Sequence, residues 1–191
     1  MLTSVLLFIS VSAFAQGDKQ TKPENFLNTL TKFNFDKEEY VFKWSNAQEA
    51  YFKQEYFRAK EPIDNANRIF TIELLNADVS VELASQSKVQ EMEERKKIDP
   101  IANYQVFENK DNQEVIVDFL ISDKNIYEWN VYRYKNITTN KGKSLLLISY
   151  NIKAFKGSEI SKDDFFAYVK KNRLSYINQM TKFPIPVINQ K

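Results

Sequence analysis

The chain has 191 residues, 27 basic and 25 acidic side chains for a formal net charge of +2, three glycines, and neither His nor Cys. Those absences exclude Ser-His-Asp and Cys-His nucleophilic catalysis and the usual zinc sites, and three scattered glycines form no phosphate cradle or dinucleotide fingerprint. A near-neutral balance without a Lys/Arg block argues against nucleic acid as a partner, which needs a concentrated basic face; carboxylate, Lys, Ser/Thr or Tyr chemistry remains, or binding without chemistry.

In chain order, Leu2 to Ala15 carries no charge. The run is shorter than the roughly 20 residues of a bilayer-spanning helix. Ala13-Phe14-Ala15 puts small residues at the positions a signal peptidase reads, although Met1-Leu2-Thr3-Ser4 lacks the usual basic start. A signal peptide over 1–15 is therefore expected, leaving residues 16–191 as one domain in the periplasm or secreted, with no stable membrane span. A lipidated N-terminus needs a Cys, so a lipoprotein is not expected.

Pro23 opens "PENFLNTLTKF", where Phe26, Leu27, Leu30 and Phe33 predict a short amphipathic helix. Asn34 to Ser45 is aromatic but irregular and has no assignable type. "EAYFKQEYFRA" and "RIFTIELL" read as two strands joined by a turn at Pro62 and Asp64–Asn67. Asp78 and Ser80 are both N-cap candidates for the helix that carries Val81, Ala84, Val89 and Met92 and stops at Asp99-Pro100. Four strands are expected next: Tyr104–Glu108, Glu114–Ile121, Ile126–Asn136 and Ser144–Phe155. Val115, Val117, Phe119 and Ile121 alternate with polar residues, and Leu146, Ile148, Tyr150 and Ile152 do likewise, the period of a strand with one buried face. Short turns make these neighbours antiparallel. Ser161-Lys162-Asp163-Asp164 resembles a capping box opening a helix to about Lys182, with Phe165, Phe166, Val169, Tyr176, Ile177 and Met180 forming one stripe.

The expected fold is α+β: an antiparallel sheet of about six strands, built as a β-hairpin, a helix, a four-stranded meander and a C-terminal helix, plus a short N-terminal helix. Over Glu49 to Lys182 this order resembles the Mog1/PsbP-like fold, and the "SAFAQ" region is similar to that of small exported proteins of unknown function in Bacteroidota. The resemblance implies a binding or assembly factor rather than a catalyst.

Several groups are candidates for a site. Ser85-Gln86-Ser87-Lys88 matches S-x-x-K, in which one helical turn brings a Lys amine to a Ser hydroxyl. The companion elements of that chemistry are missing, and a solvated helix face explains the motif. Glu114 and Asp118 flank Ile116 on one strand face and are the carboxylates a hydrolase would use. Asp123, Asn125 and Glu128 place oxygens in a turn, without a full calcium loop; neither a metal nor a cofactor is expected. The main candidate is "IYEWNVYRYK". Tyr127, Trp129, Arg133 and Lys135 share one face of that strand, and Glu128, Asn130, Tyr132 and Tyr134 share the other. Aromatic and charged side chains on the outward face suit a sugar or protein partner. The expectation is an exported, non-enzymatic binding or assembly module acting on an envelope protein or glycan, with Tyr127, Trp129, Arg133 and Lys135 as its contacts; the alternative is a small exported hydrolase.

Overall fold

Alternating apolar and polar residues build eight strands: β1 (Lys32–Phe35), β2 (Glu38–Gln48), β3 (Tyr51–Arg58), β4 (Arg68–Leu75), β5 (Asn103–Asn109), β6 (Glu114–Asp123), β7 (Ile126–Thr139) and β8 (Gly142–Phe155). Helix α1 (Val81–Lys96) follows β4, and α2 (Lys162–Lys182) follows β8. The computed structural model describes residues 22–155 and 160–190, so the expected signal peptide, 1–15, lies outside the described residues. All eight strands form one antiparallel sheet in the order β1-β2-β3-β4-β8-β7-β6-β5.

The α+β class with an antiparallel sheet holds, but the expected count of about six strands does not. The two extra strands come from the segment that has no readable period. Asp36 and Lys37 both take positive φ (49° and 65°) and turn β1 back onto β2, the backbone of a two-residue hairpin loop, here without the usual Asn-Gly. A register shift between Phe42 and Trp44 breaks the alternation of β2 and hides it in the sequence.

The expected N-terminal helix is also absent; residues 22–31 hold only a turn at Phe26 and Leu27. Asn28 adopts φ 44°, outside helical space. The backbone is satisfied by side chains instead: Leu27 N–H donates to Gln54 Oε1 at 3.0 Å, and Tyr56 Oη donates to the Leu30 carbonyl at 2.8 Å. Leu27 itself is fully buried. Burial in the sheet core outweighs a marginal helical preference.

Ser80, not Asp78, caps α1: its side chain accepts from Leu83 N–H at 3.2 Å. Ser161 caps α2 by accepting from Asp164 N–H at 3.1 Å. The two helices lie on opposite faces. The stripe of α2 joins Phe35, Tyr40, Phe70, Trp129, Ile148 and Tyr150 in the larger core, closed by Phe183 and Ile188 of the tail. On the other face, Val81, Ala84 and Met92 of α1 pack with Val115, Val117, Phe119, Leu145 and Leu147. Helix α1 sits over β5, β6 and β7.

Candidate functional site

Strand register decides what remains uncovered on the α1 face. Glu55, Thr71, Ser149 and Tyr132 are paired in succession across β3, β4, β8 and β7, and Ile69, Asn151, Asn130 and Phe119 make the next row. Lys153, Glu128 and Ile121 form the row beyond. These rows floor a cleft of about 330 Å³, with Glu91 and Arg95 of α1 in its lining and Ile126 beside Asp123. The volume falls at the small end of ligand pockets, roughly 300–1,000 Å³.

The cleft is charged, and its charges are largely matched. Lys53 pairs with Glu55 at 2.8 Å, Lys153 lies 3.8 Å from Glu128, and Tyr51 Oη donates to Glu73. Burial pulls the Lys53 ammonium down, but the carboxylates of Glu55 and Glu73 outweigh it and hold the amine above its ordinary pKa. Burial and the neighbouring Glu73 charge push the Tyr51 phenol up, so it stays a donor. Arg95 reaches the Ser122 carbonyl at 2.6 Å. In all, Glu55, Glu73, Glu91, Asp123 and Glu128 stand against Lys53, Arg95 and Lys153, five carboxylates to three cations.

Asn130 departs from this matching. It is 1% exposed, and its Oδ1 accepts from Asn151 Nδ2, which also donates to Glu128 at 3.2 Å. Its own Nδ2 has no partner; among the described residues only Thr29 Oγ1 shares that condition among buried side-chain polar atoms. An unmade hydrogen bond at a buried donor costs about 1–3 kcal/mol, and this one belongs to the cleft lining.

The model of a family of uncharacterized proteins matches residues 27–185, which take in the whole sheet and both helices. The chain belongs to that family. No curated protein matches it. Because the family match spans all of β3, β4, β6, β7, β8 and α1, every element that lines the cleft is family sequence.

The four expected contacts do share one face, and it is the face that α2 covers. Trp129 is 1% exposed against Tyr176, Tyr127 packs on Phe165 and Phe166, and Arg133 is 4% exposed. Arg133 grips Glu114 with two nitrogens at 2.8 and 3.0 Å and donates to the carbonyls of Met180 and Phe183 at 2.8 and 2.6 Å. Lys135 adds a third contact to Glu114 at 2.7 Å. Tyr127, Trp129 and Arg133 thus pack against the C-terminal helix and its end, while the partly exposed Lys135 is held by Glu114 and the Asn112 carbonyl.

Glu114 and Asp118 are likewise committed. Burial raises the Glu114 carboxyl, but Arg133 and Lys135 outweigh it and hold it below the usual carboxylate range. Asp118 is forked by Arg173 and accepts from Trp129 Nε1 at 3.3 Å. Each carboxylate is neutralised by its own arginine. In the S-x-x-K segment, Ser85 donates to the Glu82 carbonyl at 3.1 Å, while Lys88 pairs with Glu91 and lies 5.2 Å from the Tyr132 ring. Ser85 and Lys88 therefore serve packing.

The cleft residues Lys53, Glu73, Asn130, Ser149, Asn151 and Lys153 are absent from the sequence-based candidates. A signal for them exists. Along β8 one face runs Leu145, Leu147, Ser149, Asn151, Lys153, and along β7 the matching face runs Tyr134, Tyr132, Asn130, Glu128. Both strands change from apolar to polar within two adjacent rungs, β8 at Ser149 opposite Tyr132 and β7 at Asn130 opposite Asn151.

Proposed function

We propose that the protein is an exported, non-enzymatic binding module whose ligand occupies the cleft on the α1 face of the sheet. The observation that carries this reading is a polar cleft whose floor contains a buried, unpartnered amide donor at Asn130. A protein tolerates such a donor where function compensates for it. The leader over 1–15 supports export to the periplasm or beyond. The element order, similar to that of Mog1/PsbP-like binding and assembly factors, supports a carrier or adaptor. The carboxylates of a hydrolase reading, Glu114 and Asp118, are held by Arg133 and Arg173 under α2.

A thermal-shift screen of the full chain tests this, using glycans, peptidoglycan fragments, lipids, nucleotides and divalent ions. A ligand at about 100 times its dissociation constant adds roughly 2.7 kcal/mol, which raises the melting point of a chain this size by several degrees. Ser149→Phe, which fills the cleft from its floor, should abolish the shift. A shift that survives Ser149→Phe, or consumption of the stabilising ligand with time, overturns the proposal.

A further inference from the structure

We infer that the cleft takes a small neutral polyhydroxylated ligand, one or two sugar rings, that presents an oxygen acceptor to Asn130; this rests on the binding reading above. Size sets the first limit, since about 330 Å³ admits a ring or two rather than a folded partner. Charge sets the second. The five lining carboxylates outnumber the three lining cations, and with Lys88 paired to Glu91 the balance still leans negative, which disfavours an anionic ligand. A full cation is not called for either, because Glu55, Glu128 and Glu91 already have Lys53, Lys153 and Lys88, and Glu73 accepts from the Tyr51 hydroxyl.

Hydroxyl groups answer what is present. Each both donates and accepts, so a hydroxyl fits between a lysine and a carboxylate without stranding either charge. The Lys153–Glu128 pair, 3.8 Å apart, is long enough to be bridged in this way. Asn130 Nδ2 needs an acceptor, which a hydroxyl or an acetamido carbonyl supplies. Ile121 and Ile126 contribute apolar surface to the same lining, suited to the C–H face of a sugar ring.

The test follows the backbone amide resonances of the full chain by NMR during titration with N-acetylglucosamine, its β-1,4-linked dimer, glucuronate and the dipeptide Ala-Ala. The neutral sugars should perturb the amides of Asn130, Ser149 and Asn151 saturably, with glucuronate at least tenfold weaker. Asn130→Val should weaken sugar binding by tenfold or more. If that variant fails to fold, the isosteric Asn130→Asp, which exchanges the donor for an acceptor, carries the same expectation. Glucuronate binding as tightly as the neutral sugars, or sugar binding indifferent to both substitutions, overturns the inference. Cleft perturbation by Ala-Ala alone overturns the sugar class but leaves the binding module standing. Silence at the cleft from all four probes, with another ligand stabilising the Ser149→Phe variant, overturns both.

Discussion

The two faces of this sheet carry similar residues and put them to opposite uses. Under α2, Glu114 and Asp118 are buried, each forked by an arginine, and their surroundings are aromatic. Under α1 the apolar residues of β8 end at Leu147 and those of β7 at Tyr132, and beyond them stand Ser149, Asn151, Lys153 and Asn130. The difference follows from coverage. Helix α2 has 21 residues and is extended by a tail whose Phe183 and Ile188 close the core, whereas α1 has 16 and lies over β5 to β7. A buried charge must be paired almost completely or it destabilises the fold; a buried neutral amide such as Asn130, in the cleft lining, is left with one donor unpaired at smaller cost. Charge locked by arginine lies under α2, and charge shared between lysines and carboxylates lines the cleft beside α1.

The largest effect should come from opening the lock. Arg133→Met removes both bonds to Glu114 and both to the Met180 and Phe183 carbonyls. Leaving Glu114 half-matched and two carbonyls unpaired should cost about 3–5 kcal/mol, read as a lower urea midpoint. Adding Glu114→Gln should recover part of that loss, since no stranded carboxylate remains. A single variant that unfolds at the wild-type midpoint breaks the contrast between the faces.

Acid should loosen the same lock. The folded pKa of Glu114 lies below its ordinary 4.5, and that of Asp99, whose burial is outweighed by the Ser122 N–H and hydroxyl, lies below 3.8. A depressed carboxylate contributes stability that is complete above its unfolded pKa and lost as pH falls through the folded one. Stability from these groups is thus fully present at pH 6 to 7 and declines below about 4.5. The stability gap between wild type and Glu114→Gln should accordingly be widest near neutrality and narrow between pH 4.5 and 3. A gap that widens in acid contradicts the assigned direction.

How far the sequence discloses all this depends on the period of each segment. Leu146, Ile148, Tyr150 and Ile152 repeat every second residue, and the stripe from Phe165 to Met180 repeats at helical spacing, so β8 and α2 are legible. The first two strands are not: a register shift interrupts β2, and the Asp36-Lys37 turn uses left-handed φ without a glycine to announce it. Phe26, Leu27, Leu30 and Phe33 mimic a helix because the core draws Leu27 inward by tertiary contact, which no local pattern records. The site divides in the same way. The two faces of strand β7 sort correctly by alternation. Which face a helix covers is a property of α2 and its tail, more than 20 residues beyond the end of β7, and so the outward side could not be chosen from β7 alone. The apolar-to-polar change along β7 and β8, one rung apart, is a readable clue, but only once Asn130 is known to face Asn151.

A smaller effect separates scaffold from site within the α1 face. Ser80→Ala deletes the α1 cap and should cost about 1 kcal/mol, with ligand binding retained at temperatures where the chain is folded. Loss of binding in the folded variant would mean that the wall at Glu91 and Arg95 shifts with the cap.

The smallest stability effect, and the sharpest functional one, belongs to Asn130→Val. On the α2 face, deleting Arg133 or Arg173 strands a buried carboxylate. Here the deleted donor has no partner, and Asn151, which loses Asn130 Oδ1 as an acceptor, keeps Glu128 at 3.2 Å. Removing an unsatisfied buried donor offsets part of what the lost acceptor costs, and valine suits a strand. The midpoint should therefore move by less than about 1 kcal/mol in either direction, while the ligand-induced thermal shift disappears. Destabilisation as large as that of Arg133→Met would show Asn130 to be architecture, like its neighbours Trp129 and Arg133 on the other side of the strand. Near-neutral stability with binding lost would separate the two faces by a single substitution on β7.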